Sequence, residues 1–259
     1  MYKEVVYDTL QYIEREMTTT EGAFYSAQDA DSLTKENNLE EGAFYTWKID
    51  ELKSLLGKDF SLFQEYYNIN NYGYWEQDTY VLIRQDEDEQ FATNNGITIA
   101  QFNSKKREWK EVLLRFRESE RAKPRLDDKI LTAWNALMLK GYVDAYLAFN
   151  ESRFLTIAEK NAQFIHTNLI NKDGSLYRTY KNGQSSINGY LEDFAALIEA
   201  YIHLYESTAR KKWLTTAKKL MDYLLEHYRN DERILFYFTS NLDPKLASRP
   251  VEYYDNVIP

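Results

Sequence analysis

The strongest constraint on the fold is a unit of two helices and one aromatic loop that occurs twice. Amphipathic patterns predict a helix pair over about 127–169, joined by a short turn near Asn150, and a second pair over about 190–228, joined near Ala209. Aromatic segments at 174–178 and 234–238 follow the two pairs, 60 residues apart. Helical hairpins that recur at this interval favour a solenoid or a closed α/α toroid.

Apolar periodicity predicts further helices over about 3–17, 48–67 (broken) and 99–118. The only strand signals are short and lie between helices, so we expect small β-hairpins in loops rather than a central sheet. The predicted fold class is therefore all-α, with an α/α-toroid arrangement of hairpins.

The connections between the predicted helices differ in length in a regular way. Those near 150 and 209 are short, whereas those over 18–47, 170–189 and 229–259 are long, and the turn at 124–126 falls at the same end as the long ones. Only the long connection over 68–98 departs from this alternation. Because rigid scaffolds carry binding residues on elaborated loops, we expect a site at the end with the long loops.

Composition excludes several classes of function. A net charge of −9 leaves no basic surplus for nucleic acid, and no apolar run is long enough to cross a membrane. The first residues lack the basic and apolar stretches of a signal peptide, so a cytoplasmic location is expected. The absence of cysteine excludes disulfides and thiolate zinc sites.

No cofactor and no metal ion is expected. The three histidines show no spacing typical of a metal site, and the chain has no glycine-rich phosphate loop and no dinucleotide-binding fingerprint.

The elaborated end gathers carboxylates and aromatic rings. The segment 22–32 places a glycine and an aromatic pair directly before carboxylates, and the segment 41–47 has a related pattern. Rings that stack on a sugar, beside acids that bond its hydroxyls, would form a sugar subsite, and two carboxylates in different environments can act as acid and base. The candidate catalytic residues are Asp29, Asp31, Asp127 and Asp193. The candidate substrate-binding residues are Phe24, Tyr25, Trp47, Arg125, Trp134, Arg178 and Tyr190.

Several of these residues also have a structural interpretation. Asp127 lies at the predicted start of a helix, where it could cap the free amides of the first turn. Asp29 and Asp31 could stabilise loop turns through bonds to the backbone. Arg178 could simply pair with one of the carboxylates. Both interpretations stay open at this point.

Five ordered segments carry a resemblance to a known family: 24–32, 41–47, 126–135, 189–194 and 255–259. Together they resemble the spermatogenesis-associated-protein-20-like family, whose bacterial members are often labelled thioredoxin-domain-containing. The resemblance spans nearly the whole chain. Gln28 stands where the family usually has Glu, which weakens that position as a catalytic acid.

The resemblance implies a toroid like those of six-hairpin glycosidases and of the N-acylglucosamine and cellobiose epimerases. In the family it follows an N-terminal thioredoxin-like domain. We therefore expect residues 1–259 to form a single, incomplete toroid domain, with the thioredoxin-like domain and the C-terminal hairpins of the family absent. These missing parts would be its partners in a full-length protein. Two apolar surfaces are expected to be exposed and so to favour self-association: Val6, Leu10 and Ile13 of the first helix, and Val251, Tyr253 and Tyr254 of the C-terminal segment.

Two functions follow as expectations. The first is part of a carbohydrate-active toroid, a glycosidase-like hydrolase or an epimerase, that acts on a sugar-like molecule through carboxylates. The alternative is a non-catalytic ligand-binding or scaffold domain that accompanies a thioredoxin-like domain. Related epimerases use histidines that point into the toroid. This chain has no convincing histidine at the end with the long loops, so epimerisation is the less favoured reaction. Convergence of Asp29, Asp31, Asp127 and Asp193 on one pocket would favour glycoside hydrolysis.

Overall fold

The computed structural model describes residues 2–230, 234–244 and 249–251. Within these residues, contacts divide the chain into two compact units. Unit 1 comprises Gln28–Leu126, and unit 2 comprises Tyr2–Ala27 together with the chain from Asp127 onward. The expectation of a single domain over 1–259 stays a prediction.

The helices follow one another through both units. The first lies in unit 2, the next four in unit 1 and the last four in unit 2. They are α1 Tyr2–Glu16, α2 Ile49–Leu56, α3 Phe60–Tyr66, α4 Asp88–Asn94, α5 Ile99–Glu120, α6 Thr132–Phe149, α7 Ser152–Asn168, α8 Leu191–Thr208 and α9 Lys211–His227. A short 3₁₀ turn at Gly57–Asp59 separates α2 from α3. No helix in the described part of the chain is both long and apolar enough to span a bilayer.

The strands are short. Those of the two units, in chain order, are β1 Ala27–Gln28, β2 Asp31–Leu33, β3 Leu39–Glu41, β4 Trp47–Lys48, β5 Thr79–Tyr80, β6 Leu126–Asp127, β7 Ile130–Leu131, β8 Tyr177–Lys181 and β9 Gln184–Asn188.

Unit 1 packs four helices around an aromatic core. Trp47, Phe63, Tyr66, Phe102 and Trp109 are buried there with aliphatic neighbours. Two small antiparallel ribbons lie at its surface: β2 pairs with β3, and β4 pairs with β5. The sequence patterns missed α4, which lies inside the long connection over 68–98.

Unit 2 is built from two helical hairpins. Helix α6 turns into α7 at Asn150, and α8 turns into α9 at Ala209; both turn residues adopt the left-handed conformation that ends a helix. The first turns of α6 and α8 adjoin the sheet β7–β8–β9 and the loops that follow α1, α7 and α9. Within this unit the loops therefore share one end, as the alternation of short and long connections predicts.

The same pairing of backbone groups follows α1, α7 and α9. In each case an isolated bridge closes the turn: Thr18 with Phe24, Ile170 with Leu176, and Arg229 with Phe236. The residue after each bridge is a tyrosine whose backbone amide bonds the end of the preceding helix, at 2.9, 2.9 and 2.8 Å. The sequence predicted two copies of a repeat made of two helices and an aromatic loop. In the structure, segment 17–25 is a third copy of that loop.

The all-α class with short β-hairpins in loops is confirmed. One boundary differs from the prediction, because the helix expected from residue 127 begins at Thr132. Ile130 and Leu131 are instead extended and pair with Tyr180 and Thr179 of β8. The incomplete ring stays a prediction.

The expected exposure of the first helix is wrong. Leu10 is buried in the core of unit 2, and Val6 and Ile13 pack against that core. Val251 is half-buried, and the tyrosines at 253 and 254, also expected to be exposed, lie outside the described residues.

Gly174→Ala is expected to destabilise unit 2 by about 1–2 kcal/mol. Gly174 has a φ of +98°, and an added Cβ would lie 3.0 Å from the backbone oxygen of Lys219. The control is Gly183→Ala, since Gly183 has a φ of +78° but no atom within 4 Å of an added Cβ. Urea unfolding of both variants measures the difference; equal losses would show that the contact with Lys219 is unimportant.

Candidate functional site

A partly exposed polar cluster of unit 2 centres on Arg178. Its guanidinium donates to the Glu192 carboxylate at 2.5 Å and to the Asp193 carboxylate at 3.1 Å. It also lies over the Tyr190 ring, 4.6 Å from the centroid. Arg178 and Glu192 remain partly exposed, with 22% and 29% of their side chains accessible. A charged, solvent-reachable group is thus held in one orientation by two acids and a ring.

Asp193 is fully buried and joins two helix ends. Its carboxylate accepts from the backbone amide of Tyr190 at 2.8 Å, which caps α8, and from that of Ala133 at 2.9 Å, in the first turn of α6. Burial raises the pKa of Asp193 to about 6, although the amide bonds and the charge of Arg178 oppose the rise. Asp193 therefore orients the side chains of the cluster. Because it has no exposed surface, it cannot touch a substrate, and its role is that of a positioning residue.

Trp134 directly follows Ala133, the residue that Asp193 binds. Its side chain is 44% exposed in the first turn of α6. One buried carboxylate thereby connects the turn carrying an exposed indole to the group formed by Arg178, Tyr190 and Glu192. This arrangement suits a ligand with both an apolar face and hydrogen-bonding groups.

A buried amide pair holds the loop after α1 against α6 and α7. Asn135 accepts from the Phe24 amide at 2.8 Å and donates to the Phe24 carbonyl at 2.9 Å. Asn161 donates to Asn135 and to the Gly22 carbonyl. The Phe24 ring is buried and stacks on Tyr142 at 5.6 Å. Phe24 therefore packs in the core, which corrects its assignment as a substrate-binding residue. Tyr25 is half-buried.

Asp127 does not cap a helix, which corrects the capping interpretation. The N-cap position of α6 is Leu131, and Asp127 accepts from the Lys129 amide at 3.3 Å. Its carboxylate also pairs with the Lys129 ammonium at 3.1 Å and is 39% exposed. Asp127 thus remains a solvent-reachable acid of unit 2.

In unit 1, Asp29 and Arg125 form a pair. The guanidinium donates to Asp29 at 2.7 and 3.2 Å, and the Asp31 amide donates to the other carboxylate oxygen at 3.3 Å. These bonds hold the pKa of Asp29 below its ordinary value. Asp31 begins β2 and lies opposite Glu41. Asp29 therefore stabilises its own loop, one of the alternatives left open by the sequence.

Trp47 is buried in unit 1 beneath Arg121. The guanidinium lies 4.2 Å from the indole centroid and donates to the backbone oxygens of Phe44 and Thr46 and to Glu51. With only 3% of its surface exposed, Trp47 cannot stack on a ligand. Its assignment as a substrate-binding residue is corrected, because the neighbouring arginine covers it.

The structure brings together three of the residues expected at the site: Arg178, Tyr190 and Asp193. Asp127 and Trp134 belong to the same unit, whereas Asp29, Asp31 and Arg125 belong to unit 1. Convergence of all four aspartates on one pocket stays a prediction. Among the residues that the structure describes, no group of three or more histidines and acids could hold a metal ion.

Sequence reasoning missed three residues of importance. Glu192 lies beside Asp193 in the segment 189–194, where an acid in the first turn of a helix was a visible signal. Asn135 ends the segment 126–135, but the loop residue that it holds, Phe24, lies 111 positions away in the chain. Arg121 had no local signal at all, since its acceptors are backbone oxygens of a distant loop.

Comparison with known proteins supports the family resemblance. No protein-family model matches the chain. An uncharacterised protein of Caenorhabditis elegans is 30% identical over 283 residues, covering 99% of this chain and 38% of that protein. Spermatogenesis-associated protein 20 of Homo sapiens is 28% identical over 250 residues, covering 85% of this chain and 32% of that protein. The chain thus spans about a third of the length of the curated relatives it matches, and the resemblance recognised from its motifs is confirmed.

Several solved structures with partial similarity have names of sugar-acting enzymes. A cellobiose 2-epimerase from Bacillus thermoamylovorans has a TM-score of 0.42 at 11% identity, covering 91% of this chain and 58% of its own. A D-mannose isomerase has a TM-score of 0.41 at 14% identity, with coverages of 96% and 59%. An α-mannanase from Bacteroides thetaiotaomicron has a TM-score of 0.41 at 14% identity, with coverages of 92% and 74%. Similarity at this level indicates neither a substrate nor a reaction.

Proposed function

We propose that this chain, which matches about a third of the length of spermatogenesis-associated protein 20, is the sugar-recognising part of a carbohydrate-active protein. The ligand would bind at the first turns of α6 and α8. The supporting observation is the buried Asp193 carboxylate, which joins the turn of Trp134 to Arg178 and Tyr190.

Each side chain of this end has a chemical role in the proposal. Trp134 offers an exposed indole face to the apolar side of a sugar ring. Arg178 donates to ring or hydroxyl oxygens, while Glu192 and Asp127 accept from hydroxyls. Because Arg178 is already fixed by two acids, little side-chain entropy is lost when it binds. Asp193 orients the group without touching the ligand.

The reaction we propose is glycosidase-like. Hydrolysis needs two solvent-reachable carboxylates about 5–10 Å apart, and Glu192 and Asp127 are the accessible acids expected at this end. Epimerisation through histidine is less favoured, since His203 lies near Asp144 and Glu199 and His227 bonds Asn241.

A second candidate is a non-catalytic sugar-binding domain beside a thioredoxin-like domain. One observation favours it: Asp193, the acid of the cluster with the raised pKa, has no exposed surface. The carboxyl best suited to donate a proton at neutral pH is therefore out of reach of a substrate.

Trp134→Ala is expected to weaken sugar binding by at least tenfold while leaving stability nearly unchanged. The indole is exposed, so its loss removes a stacking surface but little core packing. The matched control is Leu137→Ala, because Leu137 is 37% exposed on the same helix. Calorimetric titration of the full chain with neutral mono- and disaccharides measures both variants. Absence of binding by the wild type, or equal binding by all three proteins, would contradict the proposal.

Turnover separates the two candidates. If the ligand that binds is a glycoside, release of a reducing end by the wild type and its loss in Glu192→Gln would support hydrolysis. Conversion into an isomer without cleavage would instead support epimerisation. Binding without any product would establish the non-catalytic candidate.

A further inference from the structure

Unit 1 contains an open pocket of about 480 Å³, a volume within the range of small-molecule sites. It is distinct from the cluster around Arg178, which lies in unit 2. Its walls come from the hairpin β2–β3, the start of α2, the turn before β5 and the end of α5. The polar lining residues used below are Thr34, Thr46, Gln77, Thr79 and Arg121.

The floor of this pocket is rigid and nearly neutral. Arg121 donates to the backbone oxygens of Ala43, Phe44 and Thr46 and to Glu51, so its position is fixed by several acceptors. Its charge is balanced by Glu51, which also lines the pocket. The remaining charged lining is mixed, with Lys35 and Lys48 against three glutamates: Glu36, Glu40 and Glu120. Seven of the thirteen lining residues are charged, with both signs present, and three threonine hydroxyls and one glutamine amide add neutral donors and acceptors. Such a lining favours a ligand with many hydrogen-bonding groups and no strong charge of its own.

An unusual turn presents Gln77 to the pocket. The amide of Thr79 bonds the carbonyl of Glu76 at 2.8 Å, and both central residues, Gln77 and Asp78, have positive φ, +48° and +58°. These signs are those of a type I′ turn, which prefers Asn-Gly. The chain uses that preferred pair, Asn182-Gly183, between β8 and β9. Glutamine at a strained position, in the wall of a pocket, points to a binding role for its amide.

An exposed ring lies beside the same turn. Trp75 is 48% exposed, and its amide bonds the carbonyl of Thr79 at 2.9 Å. Its indole nitrogen lies 3.6 Å from the place of a Cβ at Gly42, next to the lining residue Ala43. Trp75 is not itself a lining residue, but its ring lies beside the loop that carries Ala43, where it can stack on the part of a ligand that extends out of the pocket.

We propose that this pocket is a binding site for a neutral oligosaccharide, separate from the site proposed in unit 2. Trp75 stacks on one sugar ring, while Gln77 and the threonine hydroxyls bond the hydroxyl groups of the next. The lining carries four glutamates against two lysines and one arginine, a surplus of a single negative charge, so an anionic ligand is disfavoured and a neutral one is favoured.

The five tryptophans allow one experiment to test both sites. Trp47, Trp109 and Trp213 are buried, whereas Trp75 and Trp134 are exposed. In the full chain labelled with 5-fluorotryptophan, each ring gives its own ¹⁹F resonance, assigned by single Trp→Phe variants. Titration with maltotriose, cellotriose and mannotriose is expected to shift the Trp75 resonance in a saturable way for at least one of them. A shift of Trp134 reports on unit 2 instead, so the two proposals succeed or fail separately.

Gln77→Asn gives the sharper test. Asparagine suits the turn better, so Tm is expected to stay the same or rise, yet its shorter amide should weaken binding about fivefold to tenfold. The matched control is Gln85→Asn, an exposed glutamine of unit 1 outside the pocket, which should bind as the wild type does. An unmoved Trp75 resonance with all three sugars, or equal affinity in Gln77→Asn and the wild type, would overturn the proposal.

Discussion

Asp193→Ala is expected to destabilise unit 2 by about 3–5 kcal/mol, the usual cost of breaking a buried charged pair. The substitution leaves the buried amides of Tyr190 and Ala133 without their acceptor and removes one of the two acids that hold Arg178. The control is Asp222→Ala on α9, because that aspartate is exposed and pairs only with Lys218 within its own helix. Urea unfolding, with hydrogen exchange of the α6 and α8 amides to locate the effect, measures both; a loss below 1 kcal/mol for Asp193→Ala would show that the bridge is dispensable.

The same residue predicts a dependence on pH. Since folding raises the pKa of Asp193 from 3.8 to about 6, the folded state binds the proton more tightly than the unfolded state. The stabilisation that comes from this proton is fully present below pH 4 and is lost as the pH rises through 6. The stability of the wild type relative to Asp193→Asn should therefore fall by up to about 3 kcal/mol between pH 4 and pH 7. A difference that does not vary with pH would mean that burial does not perturb this carboxyl.

Arg121→Ala is expected to destabilise unit 1 by about 3 kcal/mol. The change deprives three backbone carbonyls of a donor, leaves Glu51 without its partner and uncovers the Trp47 ring. Arg121→Lys should recover less than half of the loss, because an ammonium group cannot reproduce the planar set of donors. Arg107→Ala, an exposed site on α5, the helix that ends directly before Arg121, serves as the control. Chemical unfolding followed by tryptophan fluorescence measures the series, and a loss below 1 kcal/mol for Arg121→Ala would contradict the expectation.

The helix pairs could be predicted from the sequence because their signal is local. Apolar periodicity and the short turns at Asn150 and Ala209 together define α6–α7 and α8–α9. The start of α6 was misplaced because Asp127 has the chemistry of a cap. Ile130 and Leu131 are instead extended and pair with β8, which lies some fifty residues later. Pairing across such a distance overrides a local preference.

The candidate site could be predicted only in part, for the same physical reason. Arg178, Tyr190 and Asp193 were identified by residue type and by their place after or before a helix. The burial of Asp193 depends on Ala133, Tyr190 and Arg178 together, and no pattern near residue 193 encodes it. Phe24 and Trp47 are aromatic residues of the kind that stack on sugar rings. Each is instead covered by a residue distant in the chain, Phe24 by Tyr142 and Trp47 by Arg121.

The chain leaves unit 2 after Ala27 and returns to it at Asp127. The 99 residues of unit 1 therefore separate α1 from the other helices of unit 2 along the chain. During synthesis, α1 emerges long before its buried partners on α6 and α7, and the bond between Phe24 and Asn135 spans 111 positions. Contacts of such high sequence separation form late, since their loop entropy must be paid before they stabilise anything. Unit 1 can complete its own core in the interval, because all of its elements are contiguous. Early folding of unit 1 would shorten the flexible loop between Phe24 and Asn135, and so lower the entropy that is lost when α1 packs on the later helices.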